Sequence, residues 1–133
     1  MSSFRTNLCV EALVDAYGHD LCNRDGRQLW RVIDHPFVYS SDVAETTIVI
    51  PVGFLTDFAS IPQFLLGIFG DVAQRASIPH DFEYSGKGTL SRELADKVLQ
   101  EACLLSGVPG WKANLIYAGV RLAGASHFRI RGE

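Results

Sequence analysis

The chain has 133 residues, 47% of them hydrophobic and 20% charged, with a net charge of −3. That length and composition suit one globular domain with one core, and the mild acidity argues against a general nucleic-acid binder. No run reaches the roughly 18 apolar residues of a membrane span, and MSSFRTNLCVEAL lacks the basic-then-apolar pattern of a secretion signal. The tail SHFRIRGE holds two arginines, a weak basic patch. The three cysteines, Cys9, Cys22 and Cys103, form no CxxC or zinc spacing. They read as free thiols, with a Cys9–Cys22 pair as the alternative.

In chain order, FRTNLCVEALVD places Phe4, Leu8, Val10 and Ala12 at even spacing and predicts a half-buried strand. Asp25-Gly26 marks a turn. RQLWRVIDHPFVY alternates, with Leu29, Arg31 and Ile33 on one face and Trp30 and Val32 on the other, until Pro36 imposes a bend or an edge. ETTIVIPV is β-branched and predicts a further strand. Within GFLTDFASIPQFLLGIFGD, Thr56, Asp57 and Ser60 are helix-cap types, Pro62 fits a first turn, and Gly67 and Gly70 end a short helix. Asp71 can cap a helix running to Tyr84, with Pro79 kinking or restarting it. Gly86-Lys87-Gly88 is a turn. Thr89 or Ser91 caps a helix with the period Leu94, Val98, Ala102, Leu105, ended by Gly107. Pro109 opens a last amphipathic helix that Gly124 closes. The expectation is α+β in a single domain, 1–133. Residues 1–52 are mainly strands in a small antiparallel sheet, and 53–127 are mainly a helical hairpin and a final helix.

The polar residues gather at IPHDFEYSGKGTLSRELAD. His80 and Tyr84 are four apart and share a helix face, while Asp81 points about 100° away. Histidine moves protons near neutral pH when a partner on its far nitrogen sets the tautomer. Asp96, on the next helix, borders that helix's apolar stripe and is the candidate partner. Each residue also has a reading without chemistry. His80 can be a satisfied core histidine, Tyr84 can be core with its hydroxyl at the rim, and Asp81 can be solvated. Arg92 and Asp96 can be a surface i,i+4 pair. Thr56-Asp57-Phe58-Ala59-Ser60 is either a helix start or a polar loop brought beside the His80 helix. His19, His35 and His127 form no metal spacing with one another. The GxxG at Gly67 and Gly70 could hold an ion through its backbone.

Two resemblances enter at these residues. GFLTDFASIP, HDFEY, SRELAD and YAGVRLAG look like the signature of the phage and prophage family known as domain of unknown function 1353, over roughly residues 27–127. That resemblance implies a phage gene, made in the host cytoplasm and either used there or packaged in a virion. It brings no activity with it. HDFEY followed by Ala95-Asp96 is also similar to the phospholipase A2 pattern, especially the compact form in parvovirus capsid proteins. By that resemblance His80 would be the general base, Asp96 its orienter, and Tyr84 the support of Asp96. Asp81 would ligate calcium beside carbonyls of a preceding loop, for which Leu66-Gly67-Ile68-Phe69-Gly70-Asp71 is the nearest equivalent.

The expected function is therefore a hydrolase-like protein with a His80–Asp96 dyad, acting on a phospholipid or other ester with calcium as the implied cofactor. Thr56, Asp57, Ser60 and Arg92 would be substrate-side or structural support. The rival class is a non-enzymatic virion protein, a tail or capsid accessory that contacts other virion proteins, and a third option is a small effector that binds a host protein. The first two differ in their expected features. An enzyme needs His80 within about a water bridge of Asp96 and reachable by solvent, with Asp81 free of a protein cation. A structural protein buries His80, pairs Asp81 with Arg75 or Arg92, and presents a large apolar surface to its neighbours.

Overall fold

The computed structural model describes residues 1–23, 26–58, 73–126 and 128. Six strands come first: β1 Ser3–Phe4, β2 Val10–Ala12, β3 Trp30–Val32, β4 Phe37–Ser41, β5 Thr46–Ile50 and β6 Leu55–Thr56. Three helices follow: α1 Ala73–Tyr84, α2 Arg92–Leu105 and α3 Gly110–Ala123, with a 3-10 turn at Gly124–Ser126. The arrangement is α+β, as composition and patterning led us to expect.

The strands make two three-stranded antiparallel sheets, in the orders β1-β4-β5 and β2-β3-β6. The run FRTNLCVEALVD is thus split: Phe4 pairs with Tyr39 in one sheet, and Val10 pairs with Val32 in the other. Between them Thr6 Oγ1 donates to the Pro36 carbonyl and accepts from the Val38 amide, which holds the chain where it changes sheets. Pro36 marks the matching change on the partner run, after Asp34 adopts a positive φ of 69°. Alternation fixes which side of a strand faces inward but not which strand lies beside it. In β4 and β5 burial alternates at the paired centre: Phe37 and Tyr39 face inward opposite Ile50 and Ile48.

Thr56 is no helix cap. It lies on β6, opposite Trp30, and strands therefore continue past residue 52. Backbone bonds between Val32 and both Gly53 and Phe54 draw this segment to the sheet edge. The expected turn at Asp25 lies outside the described residues, as do Ser60, the short helix at Pro62, Gly67 and Gly70, the cap at Asp71, and His127.

Helix α1 runs through Pro79 without ending, and Ala76 to Tyr84 are buried on every side. It packs on β5 and forms an antiparallel hairpin with α2, which packs in turn on α3. Ser91 is the N-cap of α2, its hydroxyl accepting from the Leu94 amide at 3.2 Å. Ile78 and Phe82 of α1, Val98 and Leu99 of α2, and Ile116 and Val120 of α3 join Phe37, Ile50 and Phe54 in one core. The three cysteines are free thiols. Among the described residues, no helix is long and apolar enough to cross a membrane.

Candidate functional site

A helix buried all round is ordinarily apolar. Helix α1 instead carries Ser77, His80, Asp81 and Glu83 into the interior, all at most 8% exposed. Buried polar groups are costly unless hydrogen-bonded, so their partners define what the helix does.

His80 Nε2 lies 2.7 Å from Asp96 Oδ1, and the Tyr84 hydroxyl donates to the same oxygen at 2.5 Å. The i,i+4 spacing stacks the two rings, with centroids 4.1 Å apart. Asp96 Oδ2 accepts from Arg121 Nη1 at 2.9 Å, with Arg92 Nη1 at 3.7 Å. One buried carboxylate on α2 therefore collects hydrogen-bond donors from α1 and from α3, with an ion-pair partner on its own helix. Arg92 Nη1 also donates to the carbonyls of Val120 and Arg121, at 3.3 and 3.2 Å, which ties the start of α2 to the end of α3. Arg92 and Asp96 are no surface pair: Asp96 is wholly buried.

The electrostatics follow from this packing. Burial opposes the charge on Asp96, but the hydrogen bonds from His80, Tyr84 and Arg121 outweigh it and hold its pKa below the usual 3.8. Burial lowers the pKa of His80 by more than Asp96 raises it, and Arg92 lowers it further. Burial thus favours the neutral ring, and a neutral ring that donates Nε2–H to Asp96 carries its lone pair on Nδ1. Burial, then the bond to Asp96, raises the Tyr84 pKa, so its hydroxyl keeps its proton.

Asp81 leaves α1 in another direction. Its Oδ2 accepts from the hydroxyl of Thr56 on β6, and Thr56 Oγ1 in turn accepts from the Phe58 amide at 3.0 Å. Phe58 sits at a positive φ of 60°, with its ring edge-on to Trp30. The described part of that segment, Thr56 to Phe58, is thus tied to the His80 helix through Thr56. Asp57 accepts from the side chain of Asn23. Ser60 lies outside the described residues. Arg75 lies over the Phe4 ring at 4.2 Å, and Arg92 is engaged at Asp96 and the end of α3.

Among the described residues, no three or more His, Cys, Asp or Glu side chains converge as a metal cage. Of the implied calcium ligands only Asp81 is described, since the carbonyls expected from 66–71 lie outside the described residues. The described residues alone do not build a calcium site.

Two residues escaped the sequence reading. Glu83, 3% exposed, accepts from the amides of Thr89 and Leu90 at 2.9 and 2.7 Å and so closes the α1–α2 turn. Gly88 packs so closely on that carboxylate that a Cβ would overlap it. The signal was present in Glu83 followed by Gly-Lys-Gly. Arg121 offered less: one basic residue in the last turn of an apolar helix.

Residues 30–120 match the family described as "Protein of unknown function (DUF1353)", and the chain belongs to that family. No curated protein matches the chain. No solved structure matches it either.

Proposed function

We propose that this member of the DUF1353 family is a phage- or prophage-encoded hydrolase, in which His80 and Asp96 form a general-base dyad acting on a lipid or other ester. The supporting observation is the 2.7 Å contact between His80 Nε2 and an Asp96 carboxylate held by Tyr84 on the same oxygen and Arg121 on the other.

The chemistry follows from the tautomer. Nδ1 of neutral His80 takes a proton from water as the water oxygen attacks the ester carbonyl. The imidazolium formed is stabilised by ionised Asp96. When the tetrahedral adduct collapses, the carbon–alkoxide bond breaks and the alkoxide leaves with that proton. Ester and water become acid and alcohol, and His80 is neutral again. Asp81 is the residue that would hold calcium, which would polarise the ester carbonyl. The proton transfer itself runs through His80 alone.

A second reading has its own support. His80 and Asp96 are both 0% exposed, which suits a polar lock in a non-enzymatic virion protein, a tail or capsid accessory. Release of fatty acid from phospholipid mixed micelles and cleavage of soluble esters, each with calcium and with chelator, separate the two. The dyad reading predicts hydrolysis that Asp96→Asn reduces in a protein that still folds. No hydrolysis of any ester by folded wild-type protein favours the lock.

A further inference from the structure

We propose that Arg121 is a positioning residue of this site, which makes α3 a working part of it; the inference rests on the dyad reading for its chemical meaning. Asp96 has two oxygens, and Oδ1 is occupied by His80 and Tyr84. A carboxylate held on one oxygen can still rotate about its Cβ–Cγ bond. Arg121, at 2.9 Å on Oδ2, fixes that rotation and keeps Oδ1 aimed at His80 Nε2. The contact is no ordinary surface ion pair. The Arg121 side chain is 31% exposed, but the carboxylate it meets is wholly buried, so the bond forms at a desolvated end where charge-assisted bonds are strong.

Arg92 does not duplicate this role. It lies further off, at 3.7 Å, and the same nitrogen donates to two carbonyls at the end of α3. The geometry divides the two arginines: Arg92 fastens the helices, and Arg121 orients the carboxylate.

The test uses full-length protein labelled with 15N-imidazole histidine, with the His80 Nε2–H proton followed by NMR. The variants are Arg121→Gln, Arg121→Met and Arg92→Gln, each also followed by thermal unfolding. In either folded Arg121 variant, the His80 Nε2–H signal is expected to move upfield and to exchange with solvent about tenfold faster or more. Arg92→Gln is expected to lower the unfolding midpoint while leaving that signal in place. If wild type cleaves an ester, Arg121→Gln lowers kcat about tenfold or more at unchanged KM. A shifted signal in a protein that cleaves no ester supports the positioning role and defeats the dyad chemistry. An unchanged signal in a folded Arg121 variant overturns the positioning role whatever the activity. So does failure of both Arg121 variants to fold, which would make Arg121 a structural residue only.

Discussion

His80 Nε2 meets Asp96 Oδ1 at 2.7 Å across 16 residues of chain, with neither side chain exposed to solvent. A pair so buried is held against the desolvation of its carboxylate, and that requires further donors. Tyr84 and Arg121 supply them. The buried carboxylate is thus the hub on which α1, α2 and α3 converge.

The hub makes stability depend on pH in a fixed direction. Asp96 is faced by His80 and Tyr84 from α1, by Arg92 from α2 and by Arg121 from α3, and its folded pKa lies below the unfolded value near 3.8. As pH falls, the unfolded chain takes the proton first. The contribution of Asp96 is therefore fully present above the unfolded pKa and is lost as pH falls through the depressed folded pKa. Urea unfolding across the acid range is expected to show this loss in wild type. Asp96→Asn is expected to flatten it and to lower neutral-pH stability by about 3–5 kcal/mol. An acid limb of equal depth in the variant would contradict the assignment.

Gly124 packs so closely on the Tyr84 hydroxyl that a Cβ there would overlap it. Gly124→Ala is expected to cost about 1–3 kcal/mol by overpacking. Tyr84→Phe costs about 1–3 kcal/mol by removing one donor to a buried carboxylate. In the double variant the clash with the hydroxyl is gone, so the two losses should sum to less than their separate values, as a double-mutant cycle in urea would show. Strict additivity would mean that Gly124 acts elsewhere.

Glu83 makes a parallel case at the α1–α2 turn. Glu83→Ala strands the amides of Thr89 and Leu90, at a cost of about 3 kcal/mol. Gly88→Ala pushes a methyl into the same carboxylate. Hydrogen exchange at Thr89 and Leu90 is expected to accelerate in both variants, while exchange in β4 and β5 holds closer to wild type.

The cysteines report on the same core. Burial pushes the Cys103 thiol up to about 12, whereas Cys22 is exposed. Iodoacetamide at neutral pH is expected to label Cys22 first and Cys103 only after unfolding, as read by mass spectrometry of the peptides. Early labelling of Cys103 would mean that the helical hairpin opens in the native state.

Much of this was legible in the chain because the signals were local. His80 and Tyr84 share a face by helical spacing alone. Asp96 bordered an apolar stripe and so did not have to face solvent, but the same spacing also fitted a surface pair with Arg92, and only the packing of α1 and α3 decided between them. Ser91, Gly107 and Pro109 marked their helix ends. The failures were of another kind. Splitting FRTNLCVEALVD between two sheets depends on which strands are neighbours, and alternation carries no such information. Thr56 looked like a helix cap by residue type, but the pull of Val32 on Gly53 and Phe54 made it an edge strand. Arg121 became visible only once α3 had crossed α2, because its partner lies 25 residues away.

The most direct measurement is the initial rate of ester cleavage by wild type and by His80→Gln, side by side, on phospholipid mixed micelles, with both proteins shown to be folded. The account predicts measurable acyl release by wild type and a loss of at least about a hundredfold in the variant, the scale of general-base catalysis. Equal rates, or no release from folded wild type on micelles or soluble esters, would contradict it and leave the His80–Asp96 pair as a structural lock.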